Sequence, residues 1–196
     1  MSTDGVNTSR RMWLIGATAA VGAVGVVGAA VPFVRSWNPS AKAKAAGAPV
    51  EVDVSPIQPG QMIVVKWRGR PVWVLHRTPE ELASLKTITP LLRDPKSEDP
   101  QQPDYCKNEW RSIKPEMLVL VGICTHLGCS PLYVPEKGKV EPSWEGGFFC
   151  PCHGSKYDLA GRVYAGVPAP KNLVVPPYSY TGATVITIGV DKENPA

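Results

Sequence analysis

The sequence predicts a mainly β protein, an antiparallel β sandwich with one small specialised subdomain, preceded by a single N-terminal transmembrane helix. Three observations predict it. Residues 12–34 form an apolar run without a charge. From Pro49 onward, short alternating or apolar runs recur in a chain that holds 21 prolines and 18 glycines, a mix that suits short strands joined by tight turns. Two short loops concentrate four of the five cysteines and two of the three histidines. With 43% hydrophobic and 19% charged residues in 196 positions, the chain can bury one core and is no disordered tail.

The formal charge of +4 is located entirely at the N-terminus. Residues 1–48 carry Arg10, Arg11, Arg35, Lys42 and Lys44 against Asp4. The other 148 residues carry sixteen basic and sixteen acidic side chains. A balanced domain offers no basic footprint, so no nucleic-acid partner is expected.

Residues 1–11 read as a cytoplasmic N-terminus, in which Ser9-Arg10-Arg11-Met12-Trp13-Leu14 is similar to a twin-arginine export signal. Residues 12–34 follow as the transmembrane helix. Twenty-three residues make a helix of roughly 35 Å, enough to cross a bilayer. A cleaved signal peptide is the alternative, but its apolar core is shorter, about 7–15 residues. Trp13 and Trp37 bracket the run as interfacial anchors. Residues 35–48 lack apolar periodicity and read as a flexible tether, extended or helical. Residues 49–196 form the domain.

Within it, 50–54, 62–67, 72–76, 117–123, 173–175 and 183–188 are strand candidates. Arg68-Gly69-Arg70-Pro71 connects two of them as a hairpin. Thr78-Pro79-Glu80-Glu81 opens a short helix ending near Lys86, with Thr78 as N-cap and Glu81 closing a capping box. Residues 93–104, with Pro95, Pro100 and Pro103, are expected to be an exposed loop. Residues 130–147 are expected to be a surface excursion.

The chemistry lies in Cys124-Thr125-His126-Leu127-Gly128-Cys129 and Cys150-Pro151-Cys152-His153-Gly154-Ser155, with 23 residues between His126 and Cys150. Each loop offers one sulfur and one imidazole nitrogen in a tight turn. These are ligands that suit iron or zinc. Two such loops facing each other supply two Cys and two His, a set open to an iron–sulfur cluster or a structural zinc ion. Each loop also holds a further cysteine, Cys129 and Cys152, and such a pair can be oxidised in an exported protein. His76 reads as a surface or hydrogen-bonded histidine, not a ligand. Cys106 is the odd cysteine and reads as a buried free thiol, with an exposed reactive thiol as the alternative.

Both loops resemble those of the Rieske iron–sulfur proteins of cytochrome bc complexes, the quinol–cytochrome c oxidoreductases of respiration. The stretch Trp67-Arg68-Gly69-Arg70-Pro71-Val72-Trp73 and the N-terminal anchor resemble bacterial members. The resemblance implies a Rieske fold with a cluster-binding subdomain over about residues 122–170. It implies one 2Fe–2S cluster held by Cys124, His126, Cys150 and His153, with both histidines on one iron. Cys129 and Cys152 correspond to a disulfide. Ser155 and Tyr157 correspond to hydroxyl donors to the cluster sulfurs, and Leu127 to an apolar shield. Gly166, Pro168 and Pro170 correspond to the proline loop, in which Val167 is an extra residue.

The implied function is one-electron transfer from quinol to a c-type cytochrome, coupled to proton release, with His153 hydrogen-bonding the quinol and accepting its proton. The implied partners are quinol and the cytochrome b and c-type cytochrome subunits of a dimeric, translocating complex. The implied location is the bacterial inner membrane, single-pass, with the domain on the periplasmic side. Rieske oxygenases and the small subunit of arsenite oxidase carry similar centres. The chain has no further His and carboxylate cluster for an oxygenase iron, and its span and proline loop favour the cytochrome bc complex.

Overall fold

The computed structural model describes residue 5 and residues 7–191. Of the N-terminal stretch 1–11, residues 1–4 and 6 lie outside the described residues. The chain divides into two units, Met1–Ala45 and Ala46–Ala196.

In the first unit, α1 runs from Thr8 to Ser36, longer than the expected span at both ends. Asn7 caps it by accepting from the Arg10 amide at 3.0 Å. None of its side chains is buried. The most apolar window of this region has a mean hydropathy of 2.1, and the helix is long and apolar enough to cross a membrane. Beyond it, α2 (Ala41–Gly47) forms one short helix within the expected tether.

Among the described residues the domain is built of three antiparallel three-stranded sheets. The strands are β1 (Val50–Asp53), β2 (Met62–Trp67), β3 (Arg70–His76), β4 (Met117–Val121), β5 (Leu132–Val134), β6 (Gly147–Cys150), β7 (Ser155–Tyr157), β8 (Tyr178–Tyr180) and β9 (Val185–Ile188). The orders are β1-β9-β8, β2-β3-β4 and β5-β6-β7. The β2–β3 hairpin turns through Arg68 and Gly69, both at positive φ, the backbone twist that a two-residue hairpin requires. β4 is buried along its whole length, as its unbroken apolar sequence requires. α3 (Pro79–Ile88) follows β3 and carries the expected capping box from Thr78 and Glu81. It runs two residues past Lys86 because Leu85 and Ile88 are buried under it.

Three expectations are corrected. Residues 173–175 are not a strand. The Leu173 amide bonds the Gly161 carbonyl, the Val174 carbonyl accepts from Val121, and the Val175 amide bonds the Gln101 carbonyl. These partners lie on separate segments, so no ladder forms. The loop 93–104 is not simply exposed: Ser97 is fully buried, and the Asp94 carbonyl accepts from Asn172 Nδ2 at 3.1 Å. The excursion 130–147 contains β5 and the buried Trp144. That indole donates to the Val134 carbonyl at 3.0 Å and stacks on Tyr164.

The sheet β5-β6-β7 carries the second cysteine loop at its β6–β7 turn. The first loop follows β4. The Trp73 ring on β3 stacks on Phe148 of β6 at 4.8 Å, so the two sheets that present the loops share one apolar contact.

Candidate metal centre

Both loops close on their own backbone. The Cys124 amide donates to the Cys129 carbonyl at 2.7 Å, and the Gly128 amide to the Cys124 carbonyl at 3.1 Å. In the second loop the Gly154 amide donates to the Cys150 carbonyl at 2.9 Å. Gly128 and Gly154 take φ of 85° and 75°, so each turn tightens at a residue without a Cβ. A disulfide joins Cys129 to Cys152 and ties the two loops together.

The disulfide leaves Cys124 and Cys150 as the free thiols of the site. Both are buried, at 3% and 2% exposure. The Cys150 sulfur lies within 4.8 Å of both disulfide sulfurs. His126 is half-buried and His153 exposed, and their rings meet edge-to-face with centroids 4.7 Å apart. The thiols therefore lie inside and the imidazoles at the surface. Burial pushes the Cys150 thiol above its usual range, and the neighbouring Cys124 adds to the effect. A thiolate there needs a cation beside it, and metal binding supplies one. The donor set, two inward sulfurs and two outward nitrogens on tethered loops, fits a metal centre of iron or zinc.

Tyr157 and Ser155 stand on β7, opposite the second loop. Ser155 pairs with Cys150 across the strands. Its buried hydroxyl accepts from the Ala169 amide at 3.1 Å, which fixes the segment that contains Gly166, Pro168 and Pro170. The Tyr157 hydroxyl lies 3.2 Å from Cys124 Sγ and accepts from the Thr125 amide at 3.1 Å. Burial pushes this phenol well above its usual range, and the Cys124 bond adds to it. Leu127 sits at the tip of the first loop, 71% exposed. Every site residue expected from the sequence thus falls in one region of the domain. His76 stays outside it, with Nδ1 donating to the Ile57 carbonyl at 2.7 Å. Cys106 is fully buried.

Sequence reasoning missed Thr125 and three arginines. The Thr125 hydroxyl donates to the Lys171 carbonyl at 2.6 Å and lies 3.1 Å from the Tyr157 hydroxyl. Arg77, Arg111 and Arg162 are buried. Arg77 donates to the Leu159 carbonyl, and Arg111 to the carbonyls of Ala160, Gly161 and Leu173. Arg162 pairs with the buried Asp158 at 2.7 Å. Burial lowers Arg77 and Arg111 to about 10, which leaves both charged at neutral pH. Nothing in a single sequence separates these arginines from solvated ones.

Comparison with known proteins follows the same outline. Residues 1–40 match the family described as "Ubiquitinol-cytochrome C reductase Fe-S subunit TAT signal". Residues 96–179 match "Rieske [2Fe-2S] domain". The chain is 61% identical over 194 residues to the ubiquinol-cytochrome c reductase iron-sulfur subunit of Allochromatium vinosum, covering 98% of this chain and 94% of that one. It is 48% identical to the subunit of the same name from Rhodospirillum rubrum, covering 96% of each. Among solved structures, a chain of a hyperthermophilic respiratory Complex III is similar at 32% identity and a TM-score of 0.48, covering 87% of this chain and 96% of that one.

Proposed function

Because this chain belongs to the family of ubiquinol-cytochrome c reductase iron-sulfur subunits, we propose that Cys124, His126, Cys150 and His153 hold its Rieske 2Fe–2S cluster and that His153 is the contact for quinol. The protein is an electron carrier of a cytochrome bc complex, and its catalysis belongs to that assembly. When bound, the cluster takes up one electron and gives it back. The chain supplies everything else. The buried thiols of Cys124 and Cys150 lose their protons on ligation and keep the sulfur ligands from water. His126 and His153 bring the outward edge of the site to the surface, where a partner can approach.

His153 is exposed, so its ring nitrogen that is not spent on a metal can accept a hydrogen bond from a quinol hydroxyl. That nitrogen then takes the proton as the electron leaves the quinol. Leu127, 71% exposed at the tip of the first loop, offers an apolar contact to the same partner. Tyr157 holds a proton toward Cys124 Sγ. Ser155 fixes the proline loop through Ala169 and keeps its own proton for a sulfur of the centre.

We place residues 12–34 in the bacterial inner membrane, with 1–11 in the cytoplasm and the domain over 49–196 on the periplasmic side. Residues 35–48 are the tether, and about 122–170 the cluster-binding subdomain. The twin arginines, Arg10 and Arg11, support this orientation. The partners are the cytochrome b and c-type cytochrome subunits, in a dimeric complex.

The observation that carries the reading is the pair of loops in which one cysteine from each is oxidised and the other is a buried free thiol. Iron and acid-labile sulfide analysis of single variants tests it. Cys124→Ser, Cys150→Ser, His126→Ala and His153→Ala are each expected to lose the cluster, while Cys106→Ser keeps it. Full iron and sulfide in any of the first four would remove that residue from the ligand set.

A further inference from the structure

We propose that the tip of the β2–β3 hairpin is a phosphate-binding pocket that docks on the headgroups of anionic lipid. The inference rests on the membrane-anchored reading above. A cavity of about 310 Å³ opens beside the hairpin, lined by Trp67, Arg68, Arg70, Val121, Pro176 and Pro177 among others. No acidic residue lines it. Arg68 holds a positive φ of 49° at the turn, and its guanidinium stacks over the Trp67 ring at 4.6 Å. That stacking fixes the charged group without spending its N–H donors. Lys66, Arg68 and Arg70 are all exposed, and none of the three has an ion pair among the described residues. The indole N–H of Trp67, itself 7% exposed, has no hydrogen-bond partner.

The domain as a whole carries equal numbers of acidic and basic side chains, so three unpaired cations on one hairpin mark a surface made for an anion. Two guanidinium groups match the oxygens of a phosphate, which accepts from a planar fork of N–H donors. The valine and proline walls suit the glycerol and first methylenes behind such a phosphate. Proximity selects a lipid source. Thirteen residues separate Ser36, the end of the apolar helix, from Val50, the first residue of β1. Even fully extended they reach about 43 Å. The domain is thus held within reach of headgroups at high effective concentration, and a few basic side chains suffice to bind an anionic surface under such a constraint.

The test uses the full chain with its cluster in lipid nanodiscs, read by amide hydrogen exchange at residues 66–70. Discs of phosphatidylcholine are compared with discs containing about 30% phosphatidylglycerol. We expect exchange in the hairpin to slow about threefold or more in the anionic discs, to recover at high salt, and to be unaffected by lipid in Arg68→Gln/Arg70→Gln. These side chains are exposed, and retained cluster absorbance shows that the variant is folded. Equal exchange in both disc types would overturn the proposal. So would slowing by glycerol phosphate in neutral discs without slowing in anionic ones, which would make the pocket a site for a free anion. Slowing that needs the other subunits of the complex and not anionic lipid would overturn it in favour of an acidic protein surface. Failure of the anchor reading is separately visible, because the chain would then not elute with the discs.

Discussion

The Tyr157 hydroxyl meets three neighbours, and proton counting decides which bond it makes. The Thr125 amide can only donate to it. The Thr125 hydroxyl spends its proton on the Lys171 carbonyl, which can only accept. The Tyr157 proton therefore goes to Thr125 Oγ1 or to Cys124 Sγ, and with Cys124 as the proposed ligand its thiolate is the stronger acceptor. Reduction adds negative charge to the sulfurs, so this bond stabilises the reduced form more. A bond to a charged acceptor is worth about 1.5–3 kcal/mol, which corresponds to about 60–130 mV for one electron. Tyr157→Phe and Ser155→Ala are each expected to lower the reduction potential on that order while keeping the cluster. Redox titration checks this, and an unchanged potential in a fully loaded variant would show that its hydroxyl does not bond the centre. Cys106 makes a second expectation at this scale. Burial pushes its thiol up to about 11 and leaves it no exposed surface. In cluster-loaded native protein at pH 8 it should resist maleimide labelling and react only after denaturation. Rapid native labelling at Cys106 would contradict its burial. The cysteines of the two loops stood out in the sequence because residue type and spacing together are rare. Thr125 was not, since its role depends on a carbonyl 46 residues away.

Elements carry the loops into register. The second loop is the turn between β6 and β7, the first is an extension of β4, and the Cys129–Cys152 disulfide joins them. Closing about 24 residues in this way stabilises by about 3 kcal/mol in the chain-entropy account. Cys129→Ser/Cys152→Ser should therefore lower the unfolding midpoint and shed cluster faster on dilution, measured by loss of visible absorbance. Equal retention would confine the disulfide to a passive role. Two buried arginines hold 159–161 through its carbonyls, Arg77 at Leu159 and Arg111 at Ala160 and Gly161, while Arg162 pairs with the Asp158 carboxylate. Arg111→Met strands the Ala160 and Leu173 carbonyls and is expected to cost about 3 kcal/mol or more in urea unfolding. The exposed Arg70→Gln serves as the near-neutral control. A cost for Arg111→Met no larger than that of the control would remove the clamp. At this scale the hairpin and the capping box were readable, because each depends on a few adjacent residues. β5, β7 and β8 have three residues each, too few for a period to show. The run 173–175 has strand composition without a strand's single partner.

For the whole molecule, an apolar helix that fits a bilayer, a domain with its own buried core and a short connection between them define what the chain can do. An electron carrier inside a larger complex must take its electron at one site and give it up at another. On the proposed reading of 35–48 as a tether, that connection sets how far the domain can travel. Within it α2 is seven residues long, with every described side chain exposed. Helices below about 12–15 residues are marginal in water without packing, so α2 can melt at little cost. As a helix it spans about 10 Å, and extended it spans about 23 Å. That difference is a reserve of reach that depends on length and stiffness, not on which side chains are present. Lys42→Ala and Lys44→Ala should therefore leave quinol oxidation close to the parent rate. Ala43→Pro/Ala45→Pro, which stiffens the same stretch, should slow quinol oxidation by the reconstituted complex several-fold. Its cluster content and reduction potential should stay at parent values, since both side chains are exposed and lie outside the two loops. Steady-state turnover beside a redox titration of the same preparation separates the two effects. Full turnover in the stiffened variant would mean that the domain delivers its electron without moving on its tether.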